Sequence, residues 1–323
     1  MELSGKEVLV TGGAGFIGSH LVEELLAEGA QVTVFDRFDD FYPGKSSNLR
    51  KAQSWENQFK LITGDIQDYP ALSAAIRENE LVFHLAAQAG VRYCNEFPVK
   101  ANAVNVTGTL NVLEACKENN AKKLVYASSS SIYGDPIYLP MDEKHPTNPN
   151  SPYGVSKLAA EQYVRVFGRV YGIDAVSLRY FSVYGPRGRP DQVIHAFAEK
   201  IARGKEPIIF GDGTQTRDFT YVSDVVDATM LAMKQDGVSG EAFNIGHGSR
   251  IAINELVNKV ITFMGKKGAV KPRYEEKSKG DFPDTEADNE KARQLLGWDP
   301  RVSVDEGLEH FFEWFSSDRG NKA

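Results

Sequence analysis

Residues 8–21 read VLVTGGAGFIGSHL, and no other stretch restricts this chain so tightly. Val8, Leu9 and Val10 form a short apolar run of the kind a buried parallel strand carries. Glycines follow at once, and then Phe16, Ile17, Leu21, Val22, Leu25 and Leu26 recur at helical spacing. The glycines fit both spacings used at dinucleotide sites, Gly13-x-Gly15-x-x-Gly18 and Gly12-x-x-Gly15-x-x-Gly18. A tight turn needs glycine where φ is positive, pyrophosphate needs a neighbour with no Cβ, and the last glycine lets helix and strand close up. The free N–H groups of the helix start then face the phosphates. A second strand, 32–35, ends on Asp36, where a carboxylate bonds the adenosine ribose and repels the 2′-phosphate of NADP. Arg37, next along, offers that phosphate a partner instead. Strand, glycine turn, helix and acid together indicate an N-terminal half that binds NAD.

At 323 residues the chain can bury a large core in two lobes. Its 41% hydrophobic and 25% charged residues are those of an ordinary soluble globular protein. A formal charge of −7 argues against a general nucleic-acid or anionic-membrane surface. Cys94 and Cys116 are the only cysteines, without CxxC spacing, which suits a reducing compartment and offers no metal site. The start MELSGKEVLV carries charges where a signal peptide has its apolar core, and no apolar stretch reaches membrane-spanning length. A cytoplasmic enzyme is the expectation.

Further strands are expected at 59–62, 81–85, 123–127 and 175–180, alternating with helices at 102–117 and 153–171. Residues 136–152 are rich in Pro, Asn and Asp and read as a loop. This alternation predicts an α/β fold, a Rossmann-like doubly wound parallel sheet, with ligands along the carboxyl ends of its strands. Asp65 and Ile66 follow a strand end where adenine would lie. The fourth strand runs into Ala86-Ala87-Gln88-Ala89-Gly90, whose small residues let a flat cofactor pass close by, so Leu85, Ala86, Ala87 and Gln88 are candidate cofactor contacts. His84 reads as a core histidine, and Asn105 as a buried polar residue that contacts the cofactor. Beyond Pro186 the pattern changes, with helices expected near 192–203, 222–234, 253–264 and 286–296 and from Val304. The division is an NAD-binding domain at 1–185 and a smaller mixed α/β substrate lobe at 186–323, interleaved with the first.

The chemistry centres on Ser129, Tyr153 and Lys157. Tyr153 and Lys157 stand four residues apart, one turn along a helical face. An ammonium at that range favours tyrosinate, lowering a phenol pKa near 10 in water and giving a general base for oxidising a carbinol as hydride leaves for NAD. Ser129 would bond the same oxygen, and Lys157 can also bond the nicotinamide ribose, so Tyr153 and Lys157 count among the cofactor contacts.

TGGAGFIG, Asp36, GDI at 64–66, HLAAQAGV at 84–91, ASSSSIYG at 127–134, SPYGVSK at 151–157, RYFSVYGPRGRP at 179–190 and GDGTQTRDFTYVSD at 211–224 resemble the extended short-chain dehydrogenase/reductases. The likeness covers nearly the whole chain and is nearest to the nucleotide-sugar 4-epimerase branch. It implies that the serine, tyrosine and lysine oxidise a UDP-sugar at C4, and that the 4-keto sugar turns over and takes the hydride back on its other face. It also implies that Arg217 grips the UDP diphosphate, Asp281 binds the uridine ribose, Tyr180 lies near the nicotinamide, and Ser130 lies near the sugar. Ser182 replaces the Asn common in this motif. Thr285 stands where a bulky tyrosine closes some pockets to N-acetyl groups, which leaves UDP-GlcNAc/UDP-GalNAc open beside UDP-Glc/UDP-Gal. Arg187, Arg189 and Arg92, with the loop FDDFYPGK, resemble the branch that epimerises UDP-glucuronate. A decarboxylase acting on UDP-glucuronate starts with the same step. A 4,6-dehydratase is disfavoured, because Ser130 and Ser131 stand where that family has an Asp-Glu pair. A non-catalytic NAD sensor usually lacks the Tyr or Lys, and both are present. The family implies a homodimer through helices near 98–117 and 153–171.

Overall fold

The computed structural model describes residues 1–39, 44–276 and 283–320. Its centre is a seven-stranded sheet made of β1 (Glu7–Thr11), β2 (Gln31–Asp36), β3 (Phe59–Thr63), β4 (Leu81–His84), β5 (Lys123–Ser129), β6 (Asp174–Tyr180) and β7 (Ala242–Ile245). Every pairing is parallel, in the order β7-β6-β5-β4-β1-β2-β3. The strand order reverses at β1, so a crevice opens above the carboxyl ends of β1, β2 and β4.

Both faces of β1 are buried, which is why its sequence does not alternate. Val8 and Val10 join the core formed with the helices Phe16–Ala27 and Val222–Lys234, while Leu9 joins the opposite core with Phe35, Val82 and Tyr126. The helices Tyr69–Arg77, Thr109–Glu118 and Pro152–Tyr171 cover that second face. Ser151 starts the last of these by accepting the Gly154 N–H at 3.2 Å, and Gly172 ends it at φ +74°.

The doubly wound parallel sheet agrees with expectation; three local features differ. β7 was not foreseen, although it completes the sheet beside β6. The expected helix 102–117 is interrupted by a π-helical run, Ala103–Gly108. Thr109 Oγ1 donates to the Asn105 carbonyl at 2.7 Å, a side-chain bond that competes with the regular ladder. The helix expected near 286–296 starts only at Glu290, because Ala287 N–H is drawn to the Asp218 carboxylate at 3.0 Å.

Three short strand pairs lie outside the central sheet: Ser182–Tyr184 with Phe219–Tyr221, Thr216–Arg217 with Ile251–Ala252, and Ile208–Phe210 with Arg273–Glu275. Helices Val193–Ala202, Ile253–Phe263 and Val304–Gly320 pack around them. Among the described residues no helix is long and apolar enough to cross a membrane, and no group of His, Cys, Asp or Glu could hold a metal ion.

Candidate active site

A cleft of about 550 Å³ runs from the carboxyl end of β2, past β1 and β5, into the second lobe. Its first wall is built from absent side chains. Gly12 sits at φ +73°, and a Cβ there would lie 2.6 Å from Ala86 N. A Cβ on Gly18 would lie 2.3 Å from the Gly12 carbonyl oxygen. Gly15, Phe16 and Ile17 complete this wall, and no side chain caps the helix start at Gly15. A backbone cradle that no Cβ can enter, at an uncapped helix N-terminus, fits a pyrophosphate.

At the far end, Asp36 is 5% exposed and accepts N–H groups from Ala14 at 3.2 Å and Phe38 at 2.9 Å. Lys45 Nζ also reaches it, at 3.3 Å. Arg37 turns away from Asp36: Nε donates to Asp39 at 2.8 Å, Nη1 to Asp65 at 3.4 Å and Nη2 to Gln88 Oε1 at 3.1 Å. Two carboxylates therefore already meet the charge that a 2′-phosphate would need. Asp65, Ile66, Leu85, Ala86 and Ala87 line the cleft.

Gln88 and Asn105 do not. Asn105 is 1% exposed, accepts the Gln88 N–H at 2.7 Å, and donates to Gln88 O at 3.1 Å and Ser156 Oγ at 2.9 Å. Its polar atoms are spent bracing the exit of β4 against the helix Pro152–Tyr171, behind the wall where it was expected to be a cofactor contact. His84 is core, bonded to Thr11 Oγ1 at 2.7 Å and Thr109 Oγ1 at 2.9 Å, and burial brings its pKa down to about 3.

Ser129 ends β5 and hydrogen-bonds Tyr153, whose helix carries Lys157 one turn further on. All three line the cleft. Their electrostatics correct one expectation. Burial raises the Tyr153 phenol above its ordinary value; Arg189 and then the Ser129 hydrogen bond act to lower it, and Lys157 is not among these influences. Lys157 is itself brought down to about 7 by burial, with Glu161 the largest pull in the other direction. Glu161 accepts Ser128 Oγ at 2.6 Å and the Arg179 guanidinium at 2.7 and 3.1 Å, so β5, β6 and the helix Pro152–Tyr171 meet at one buried carboxylate.

The remaining wall comes from later in the chain. Tyr180 at the end of β6, Ser182, Arg189, Arg217 and Thr285 all line the cleft, as do Ser130 and Arg92. Arg92 lies 4.0 Å over the Phe210 ring. Arg217 Nη1 donates to Thr216 O at 2.7 Å and Pro283 O at 3.3 Å. Tyr180 OH is 2.7 Å from Thr229 Oγ1. Arg189 makes two bonds to Asp191, at 2.9 and 3.1 Å. Arg187 leaves this group, pairing outside the cleft with Glu23 at 2.5 Å. Asp281 and part of the loop FDDFYPGK, at 40–43, lie outside the described residues.

Sequence reasoning overlooked Asp218. Its carboxylate is fully buried and accepts N–H groups from His247 at 2.6 Å, Gly248 at 2.9 Å and Ala287 at 3.0 Å, while its own N–H donates to Thr285 Oγ1 at 3.2 Å. The segments at 218, 247–248 and 285–287 are thereby tied together beside Arg217. Val193, Phe210 and Gln215 were also missed as cleft residues. Gln215 and Asp218 stand inside QTRDF and Phe210 five residues before it, while Val193 follows RYFSVYGPRGRP, so the chain offered only nearness to quoted motifs.

A family model described as the NAD dependent epimerase/dehydratase family matches residues 8–246. A UDP-glucuronate 4-epimerase from Thermodesulfobacterium geofontis is 41% identical, over 95% of this chain and 95% of the relative. The crystal structure of UDP-glucose 4-epimerase from Thermotoga maritima, with UDP-glucose, superposes with a TM-score of 0.89 at 37% identity, over 97% of this chain and 99% of that one. That of UDP-glucuronic acid 4-epimerase from Bacillus cereus, in complex with UDP-glucuronic acid and NAD, gives 0.90 at 36% identity, over 96% and 99%.

Proposed function

The chain belongs to the NAD dependent epimerase/dehydratase family, and we propose that it is a UDP-sugar 4-epimerase with UDP-glucuronate as its substrate. The observation that carries the epimerase reading is the placement of Ser129, Tyr153 and Lys157 in one cleft with the glycine cradle. The cradle at Gly12 and Gly18 and the carboxylate of Asp36 would hold NAD, which when bound accepts hydride from C4 of the sugar and returns it. Tyr153 removes the proton of the C4 hydroxyl as hydride leaves and gives it back when hydride returns to the opposite face. Ser129 bonds the same oxygen and keeps it beside the phenol. Lys157, one turn along the helix from Tyr153, lines the cleft where it would bond the nicotinamide ribose of bound NAD. Arg217 would bridge diphosphate oxygens, since a guanidinium matches two of them at once.

Arg189 favours the acid sugar. Its charge is the largest acting on Tyr153, so its guanidinium stands near the C4 position. The carboxylate of a uronic acid is attached at C5, the next ring carbon, within reach of the same group. A neutral UDP-hexose or N-acetylhexosamine is the second reading, supported by the Arg189–Asp191 pair and by the small side chain of Thr285. The exposed apolar stripe Val155, Tyr163, Val166 and Val170 on the helix Pro152–Tyr171 supports assembly as a homodimer.

The deciding experiment is NMR of the purified protein mixed separately with UDP-glucuronate, UDP-glucose and UDP-GlcNAc, with and without added NAD. Galacto signals from UDP-glucuronate support the proposal. Galacto signals only from a neutral sugar move the assignment to the second reading. A 4-keto pentose signal identifies decarboxylation, and no change in any mixture removes the epimerase reading.

A further inference from the structure

Arg187 is one of three described non-glycine residues at positive φ, at +64°, with Phe38 and Asn120. L side chains rarely adopt this conformation, and glycine would adopt it without strain. Glycines stand close by at 185 and 188, so an arginine at 187 points to work for its side chain. That work is visible. Nη2 donates to Glu23 Oε1 at 2.5 Å and Nη1 to Ser19 Oγ at 3.2 Å. One residue earlier, the Pro186 carbonyl accepts from His20 Nε2 at 2.9 Å. Burial brings the His20 ring down to about 4, so it is neutral and its Nε2 carries the proton.

Ser19, His20 and Glu23 lie on the helix Phe16–Ala27, which starts at the glycine cradle. The turn 185–189 is closed from its other side as well. Gly188 N–H donates to Gly185 O at 3.2 Å, the Gly188 carbonyl accepts from His195 Nδ1 at 2.7 Å, and Arg189 N–H donates to Gln192 Oε1 at 3.0 Å. Two residues after the strained position, Arg189 enters the cleft.

We infer that Arg187 is a positioning residue: by tying the turn 185–189 to Ser19 and Glu23, it holds the Arg189 guanidinium against the sugar subsite and Tyr153. The inference rests on the proposed epimerase reading. The groups facing Tyr153 are Ser129 and Tyr126 from β5, Cys94 from the helix Val91–Glu96, and Arg189 from this turn; Lys157, one turn along its own helix, does not act on it. The Cys94 thiol is pushed up to about 11 by burial and is neutral. If the turn loosens, the Arg189 charge moves away from Tyr153, and activity that depends on tyrosinate moves to higher pH.

The test uses the full-length protein with NAD and whichever UDP-sugar the unmodified enzyme turns over. kcat and KM are measured against pH for Arg187→Ala, Arg187→Lys and Glu23→Gln, with thermal melting alongside. Arg187→Ala is expected to raise the midpoint of the pH–activity curve by about half a unit or more and to raise KM. Arg187→Lys restores much of both effects. Glu23→Gln, which leaves the backbone of the turn untouched, shifts the midpoint the same way and serves if Arg187→Ala does not fold. Wild-type pH midpoint and KM in variants that merely melt earlier would show a structural role only and overturn the inference. An unmodified enzyme inactive on every UDP-sugar would instead remove the epimerase reading, and it would be seen before any variant is compared.

Discussion

Glu161 lies one helical turn beyond Lys157, and both side chains are about 3% exposed, an opposed pair of charges held away from water. The lysine pays the larger cost, because Glu161 also has Arg179 and Ser128 as partners. Burial leaves Lys157 near 7, well below the ordinary 10.5.

This depression gives a prediction with a definite sign. Between about 7 and 10.5 the unfolded chain binds more protons at this site than the folded one, so stability rises with pH across that window. Below 7 the full cost of burying the ammonium is present. Lys157→Met is therefore expected to melt at a higher temperature than the unmodified protein at pH 6.5, with the difference shrinking as the pH approaches 10. Activity should fall by about a hundredfold or more in the same variant. Tyr153→Phe should lose activity comparably without changing how melting depends on pH. Calorimetry across that range checks both, and a Lys157→Met protein that melts earlier at pH 6.5 would contradict the account.

The cofactor preference lies in one carboxylate. Asp36 accepts two backbone N–H groups, which fix it at the carboxyl end of β2, while Asp39 and Asp65 occupy Arg37. Asp36→Ala is expected to weaken NAD roughly tenfold, as loss of hydrogen bonds to a charged acceptor would. NADP should gain only modestly, because Arg37 stays paired and Lys45 keeps Asp39 as its nearer partner, at 2.6 Å. Fluorescence titration with the reduced cofactors measures both. Equal affinity of the unmodified protein for NAD and NADP would remove Asp36 as the discriminator.

The parts of the molecule that were legible in the sequence are those whose signal is local. β1, the glycine turn and Asp36 are contiguous, and Tyr153 and Lys157 share one helical face, so spacing alone carries them. β7 escaped because Phe243, Asn244 and Ile245 give too short a run to separate from loop. Asn105 was recognised as buried and polar, but its direction depends on Gln88 and Ser156, which come from distant stretches. The arginines at 92, 187 and 189 looked alike in the sequence. Glu23, 164 residues from Arg187, sets Arg187 apart from the other two. Tyr153 shows the same limit, since the spacing of a YxxxK pair announces the lysine but not the burial that discharges it.

Asp218 is the clearest long-range case, and it carries the last prediction. Burial pushes its carboxyl above the ordinary value, with the amides of Ala287, His247 and Gly248 opposing that shift. Both oxygens are used, Oδ1 by His247 N–H and Oδ2 by Gly248 and Ala287 N–H. An asparagine cannot replace this, because its NH₂ must face at least one backbone donor and leave it unsatisfied. Asp218→Asn should therefore cost about 1–3 kcal/mol of stability and loosen the segments around Arg217 and Thr285. Binding of UDP, followed by titration calorimetry, should weaken while NAD affinity at the opposite end of the cleft stays unchanged. Unaltered UDP binding in a folded Asp218→Asn protein would show that Arg217 does not depend on this carboxylate. A matching loss of NAD would show that the damage is general rather than confined to the second lobe.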